Sequence, residues 1–264
     1  MMGKLIKYDL KAGLRIFGLI WMGMVLLTGL CCGTFLLSGQ GEDPRWLSLG
    51  VLTILPMFLA LIGSLLFTDI YIALRFHNGL LGREGYMMFT LPTTSGKLLT
   101  SKFLTAVFFE GVTFILFLAG VVGFISTIMH ATGAAISLEE WKMIFEMAGF
   151  ELDITVGTTL IPILFVLILG MIAKILQIYL ACCLGHLCRK KRALFSILFY
   201  FALNQAMSIL TSFIQLFMMK DFMTATVGGM YRMLAAYTIP VYIGLIVVYY
   251  ILCARILRNK LNLE

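Results

Sequence analysis

Three ionisable side chains interrupt long apolar stretches of this chain: Asp69, Glu110 and Lys174. At roughly 1.5 Å per helical residue, Glu110 stands about 12 Å from Lys102 and Lys174 about 22 Å from Arg189. The apolar run carrying Lys174, residues 156–186, would reach about 46 Å as a helix. A bilayer core is only about 30 Å thick, so this run must tilt or project, which brings Lys174 near the depth of Glu110. Charges in hydrocarbon are costly alone, and Glu110 and Lys174 are therefore candidates for an intramembrane ion pair. Such a pair is either structural or part of a proton relay.

Other chemistry is sparse. His77, His130 and His186 are scattered, and His186 with Cys188 makes too small a set for a zinc site. Cys31, Cys32, Cys182, Cys183 and Cys253 sit inside apolar runs and read as small hydrophobes rather than a disulfide framework. There is no phosphate-binding Gly-rich loop, no His-Glu-x-x-His and no Gly-x-Ser-x-Gly. The chain is expected to be no enzyme and to hold no metal or cofactor of its own.

Such residues must be positioned by membrane helices. Of 264 residues, 61% are hydrophobic and 12% charged, and mean hydropathy is +1.01. Soluble domains have roughly 45–50% apolar and about 25% charged residues, so the bilayer must be the solvent for most of this chain. Apolar runs at 16–38, 48–74, 103–128, 156–186, 194–218 and 238–256 each suffice for a span. None alternates with period two, which excludes a barrel. The expected fold is all-α and polytopic, a single transmembrane domain over residues 1–264.

Orientation follows from Lys and Arg. Lys4, Lys7, Lys11, Arg15, Arg75, Arg83, Lys97, Lys102, Arg189, Lys190, Lys191, Arg192, Arg255, Arg258 and Lys260 fall on one side. Arg45, Lys142, Lys220 and Arg232 fall on the other. The positive-inside rule places both termini in the cytoplasm. The net charge of +7 is then a topology signal with attraction to membrane lipid, and nucleic acid is not an expected partner.

Residues 2–15 read as an amphipathic interfacial helix, with Lys4, Lys7, Lys11 and Arg15 on one side and Ile6, Leu10, Leu14 and Phe17 on the next. Between spans three and four, Ser137 to Glu140 fits a capping box. It predicts a short outer helix over 138–149. Gln177, Asn204, Gln205 and Gln215 are candidates for hydrogen bonds between helices or for lining a polar pathway.

One inward turn mixes charge, glycine and aromatic residues: Leu81-Gly82-Arg83-Glu84-Gly85-Tyr86-Met87-Met88-Phe89-Thr90-Leu91-Pro92, then Lys97-Leu98-Leu99-Thr100-Ser101-Lys102. Gly79, Gly82 and Gly85 permit a close-packed turn. Arg83 and Glu84 can pair across an interface, and Tyr86, Met87 and Phe89 are of the type that anchors one. This segment resembles the "EGYLMFTLP…SK" signature of ABC transporter permeases of the type-2 exporter class from Gram-positive bacteria. The opening Gly3 to Lys11 and Leu184-Gly185-His186-Leu187 resemble that class as well.

The resemblance implies that residues 2–15 form an elbow helix. It also implies that the turn around 77–91 is a coupling helix, with Leu81, Gly82, Arg83, Glu84, Gly85, Tyr86, Met87 and Phe89 seated on a separate ATP-binding subunit. That subunit would bind ATP and Mg. The chain would work with a second permease copy or a paralogue in a bacterial cytoplasmic membrane, exporting an amphipathic peptide antibiotic, lipid or drug. Exporters of this class often carry re-entrant helices before the last span; here residues 219–237 leave room only for a cut-down version around Thr224 to Gly229. The alternatives are a peptide-sensing or immunity protein without transport, or an intramembrane enzyme with a dispersed site.

Overall fold

The computed structural model describes residues 2–40, 44–81, 95–131, 161–188, 191–222 and 227–259. These residues form α1 (Met2–Gln40), α2 (Pro44–Phe76), a five-residue π-helical turn (His77–Leu81), α3 (Ser95–Ala131), α4 (Ile161–His186), α5 (Arg192–Phe222) and α6 (Val227–Asn259). Each α-helix contains a stretch long and apolar enough to cross a membrane, which makes six candidate spans among the described residues. Hydrocarbon offers the backbone no hydrogen-bond partners, so each span closes its own N–H and C=O groups in a helix. Pro162 sits in the first turn of α4, where no internal amide bond is lost. Pro56 and Pro240 lie inside α2 and α6.

Several boundaries differ from expectation. Residues 2–15 are the first part of one continuous helix reaching Gln40, rather than a separate segment. The run at 156–186 yields a described helix of 26 residues, the shortest of the six. At about 39 Å it still exceeds a core of about 30 Å, and residues 156–160 lie outside the described residues. Residues 219–237 are mostly helical, since α5 continues to Phe222 and α6 starts at Val227. The outer segment 138–149 lies outside the described residues.

The chain packs as two compact units, Met1–Tyr71 with Leu104–Glu140, and Ile72–Phe103 with Trp141–Glu264. In the first unit, Met24, Cys31, Phe35, Met57, Leu61 and Phe124 form a core from α1, α2 and α3. The inward stripe of α1 begins Asp9, Gly13, Phe17. On the apolar stripe, Leu14 is 44% exposed while Phe17 is fully buried. Apolar side chains gain nothing by leaving lipid for protein, so small residues and shape select the inner face. Gly13 admits the Phe109 ring and Gly120 admits Leu61.

In the second unit α4 is the central helix and packs against α5, α6 and the π-helical turn. Its residues from Ile175 to Cys183 are all buried, the all-round burial of a helix surrounded by protein. Its last turn tightens, with Leu187 N–H bonded to Leu184 C=O and Cys188 N–H to Gly185 C=O, both at 3.2 Å. Lys191 then adopts a left-handed φ of 54°, and its carbonyl accepts the amides of Leu194 and Phe195 at 3.0 and 3.2 Å. Polar side chains elsewhere fold back on their own helices: Thr28 donates to Met24 C=O, Thr68 to Ser64 C=O and Thr127 to Gly123 C=O. Such back-bonding lets hydroxyls reside at depth without a distant partner.

Gly185 fixes how closely α4 and α5 approach. A methyl group there would lie 2.6 Å from the Ser196 Cα and against its hydroxyl. Overpacking of this kind costs about 1–3 kcal/mol. Gly185→Leu is expected to lower stability in detergent by at least that much. Gly29→Ala, where nothing lies within 4 Å, changes it by less than about 1 kcal/mol. Thermal unfolding of the two variants side by side checks the difference.

Candidate functional site

Residues 82–94, which lie outside the described residues, are flanked by two limbs, the end of α2 with its π-helical extension and the start of α3. Both limbs belong to the second unit, and both are held by α4. Phe76 stacks on Tyr179 with ring centroids 4.0 Å apart and planes at 15°. The Tyr179 hydroxyl donates to the Lys102 carbonyl at 3.0 Å. One side chain of α4, only 2% exposed, therefore clamps both limbs at once. Tyr suits this place because its ring packs as a large hydrophobe while its hydroxyl needs a partner when buried.

Further contacts tighten the base. Gly79, Leu80 and Leu81 are buried on one limb, and Leu98, Leu99, Ser101 and Lys102 on the other. A methyl group on Gly79 would meet the Lys102 side chain at 3.3 Å. The glycine thus serves close approach within a helical turn. The His77 and His186 rings meet edge to face with centroids 6.1 Å apart, so two histidines that look scattered in sequence are neighbours. Cys183 and Cys253 join α4 to α6, their sulfurs 3.8 Å apart. All six cysteines are free. Among the described residues no group of three or more His, Cys, Asp or Glu is placed to hold a metal.

Of the expected coupling residues, Leu81 is described and buried. Gly82, Arg83, Glu84, Gly85, Tyr86, Met87 and Phe89 lie outside the described residues. On α1, Lys7, Lys11 and Arg15 are exposed, which suits a solvated or headgroup-facing side, while the Lys4 side chain lies outside the described part. Glu110 is 4% exposed and belongs to the first unit. Lys174, half-buried on α4, belongs to the second.

Around Glu110, the first unit holds a polar knot inside an aromatic cluster. Trp21 Nε1 donates to Thr113 Oγ1 at 3.0 Å, and Thr68 Oγ1 reaches the same oxygen at 3.4 Å. Thr113 in turn donates to Phe109 C=O at 2.8 Å. Phe17 stacks on Phe109 at 4.4 Å and meets Tyr71 edge-on at 4.9 Å. Sequence reading missed both the knot and the Tyr179 clamp. The available signal was a Tyr, a Trp and buried-type Thr residues within apolar runs, each carrying a group that must find a partner in hydrocarbon.

Two outcomes follow. Tyr179→Phe is expected to cost about 1 kcal/mol, the net value of one hydrogen bond. Tyr179→Ala is expected to cost about 3–5 kcal/mol, as aromatic truncations in cores do. Amide hydrogen exchange in residues 77–81 and 95–103 should rise in Tyr179→Ala well before exchange in α6 does. Thr113→Val strands the Trp21 N–H and is expected to cost about 1–3 kcal/mol, read by thermal unfolding with Trp fluorescence.

No protein-family model, curated protein or solved structure matches the chain.

Proposed function

We infer that the chain is the membrane subunit of an ATP-driven exporter. It acts with a second permease copy or paralogue and with separate ATP-binding subunits at the cytoplasmic face of a bacterial membrane. Its cargo is amphipathic, and it hydrolyses nothing itself. The resemblance of residues 81–92 and 97–102 to the type-2 exporter signature supports this reading, as does the clustering of Lys and Arg on one side of the spans. The observation that carries it is the clamp on Tyr179. A turn that receives force is useful only if its limbs are rigidly tied to spans that must move, and here both limbs are tied to the most buried helix of their unit.

In this reading, nucleotide-driven closure of the partner pushes on residues 82–91. The push passes through the two limbs to α4, and from α4 to α5 across the Gly185–Ser196 contact. Spans then tilt, and access alternates between the two faces of the membrane. Arg83 and Glu84 supply charge pairing to the partner, and Tyr86, Met87 and Phe89 supply the anchors.

Photo-crosslinkers at Arg83 and Tyr86 are expected to capture an ATPase subunit. Tyr86→Ala is expected to lower ATP-dependent uptake into inverted vesicles at least tenfold, the loss of one anchor of roughly 1.4 kcal/mol or more. Capture of phospholipid alone would sink the exporter reading. Peptide binding without any ATP-dependent uptake would transfer the chain to the sensing class.

A further inference from the structure

The π-helical turn meets the end of α4 through a pair of imidazoles. His77 opens the turn, and His186 is the last residue of α4. Both are half-buried, and their rings pack edge to face at 71° with centroids 6.1 Å apart. Asn78 Oδ1 lies 3.4 Å from His77 Nδ1. His186 Nδ1 is buried and makes no hydrogen bond among the described residues. Arg192, at the start of α5, brings its charge near His186. A proton on each ring therefore sets three cations side by side. It also strands a buried N–H, because a charged imidazole donates from both nitrogens and His186 Nδ1 has no acceptor among the described residues.

The surroundings offer no compensating negative charge. The two limbs carry Arg75, Lys97 and Lys102, and α5 opens after Lys191 with Arg192. On α6, Cys253 and Leu257 are buried while Arg255 and Arg258 are exposed. The other titratable groups at this end are the thiols of Cys182, Cys183, Cys188 and Cys253 and the Tyr179 hydroxyl, and thiols and phenols as classes ionise above pH 7. Asp221 is the one carboxylate among the described residues of this unit, and it lies about 44 Å along α5 from Arg192. Two imidazoles beside a guanidinium also fall short of the four ligands of a structural zinc site.

Imidazole ordinarily changes charge near pH 6.5. We propose that His77 and His186 form an acid-released latch, which holds the π-helical turn against the end of α4 while both rings are neutral and frees it once both are protonated. The sign follows from the charges: docking is favoured above about pH 6.5 and lost as pH falls below it. The Tyr179 clamp on Phe76 and Lys102 contains no imidazole, so release is confined to residues 77–81. The latch rests on ring contact and charge and needs no ATPase, so it stands or falls apart from the exporter reading.

The test is amide hydrogen exchange of the full-length chain in lipid nanodiscs at pH 7.5 and 5.5, with each rate divided by the chemical exchange rate at that pH. Protection of residues 77–81 is expected to fall at least tenfold on acidification, while that of residues 95–103 changes less than threefold. His77→Phe/His186→Phe keeps an aromatic pair that gains no proton, and His77→Gln/His186→Gln supplies a neutral polar pair should the first variant fail to fold. Protection of residues 77–81 in the folded double variant is expected to stay within threefold across the two pH values. Equal protection of the native chain at both pH values would overturn the latch, as would a tenfold fall that survives in a folded double variant. An equal fall in residues 95–103 would overturn it as well, by showing that acid loosens the clamp rather than the turn.

Discussion

Hydrocarbon removes the usual reason for apolar side chains to seek the inside of a protein, while it punishes every polar group left without a partner. Both halves of that constraint shape this molecule. Large apolar residues such as Leu52, Leu55, Ile115 and Phe201 face outward, and the interior takes what fits or what needs a bond. In the first unit the interior holds Gly13, Gly120, Thr68, Thr113 and Glu110 beside stacked rings. In the second it holds Gly185, Gln177 and the Tyr179 hydroxyl.

The same constraint explains why long-range hydrogen bonds matter. Many hydroxyls in the described spans return to their own helix, whereas a bond that joins two helices specifies a register. Tyr179 to Lys102 ties α4 to the start of α3, and the Phe76 ring on the same tyrosine ties α4 to the end of α2. The two limbs that flank residues 82–94 thus share one anchor. α5 is the opposite case. Asn204, Gln205, Ser208 and Ser212 are exposed on it, and none of its residues from 192 to 214 is buried.

Much was legible beforehand, and the reasons are specific. Among the described residues, six candidate spans and the absence of strands follow from apolar run length and from the missing two-residue alternation, because the bilayer sets a minimum length that few other contexts demand. Boundaries were less legible. Residues 2–15 contrast with the run that follows in charge, yet one helix passes through both, since a change of solvent along a helix needs no break in its hydrogen bonds. Which residue of the α1 stripe turns inward was not legible, because Leu14 and Phe17 are alike to lipid and differ only in whether a neighbour has room for them.

Composition, run length and charge asymmetry by themselves determined that this is a multi-pass helical membrane protein, and they marked the segment 81–102 as unlike its surroundings. Tertiary structure alone decided that α4 is the hub of its unit, that Tyr179 holds both limbs of the turn, that His77 meets His186, and that Asn204 and Gln205 face outward at mid-span. A one-dimensional pattern records how each residue interacts with its solvent. Where that solvent is nearly as apolar as the protein, the choice of which face turns inward passes to shape and hydrogen-bond partners, and these exist only once the helices have met.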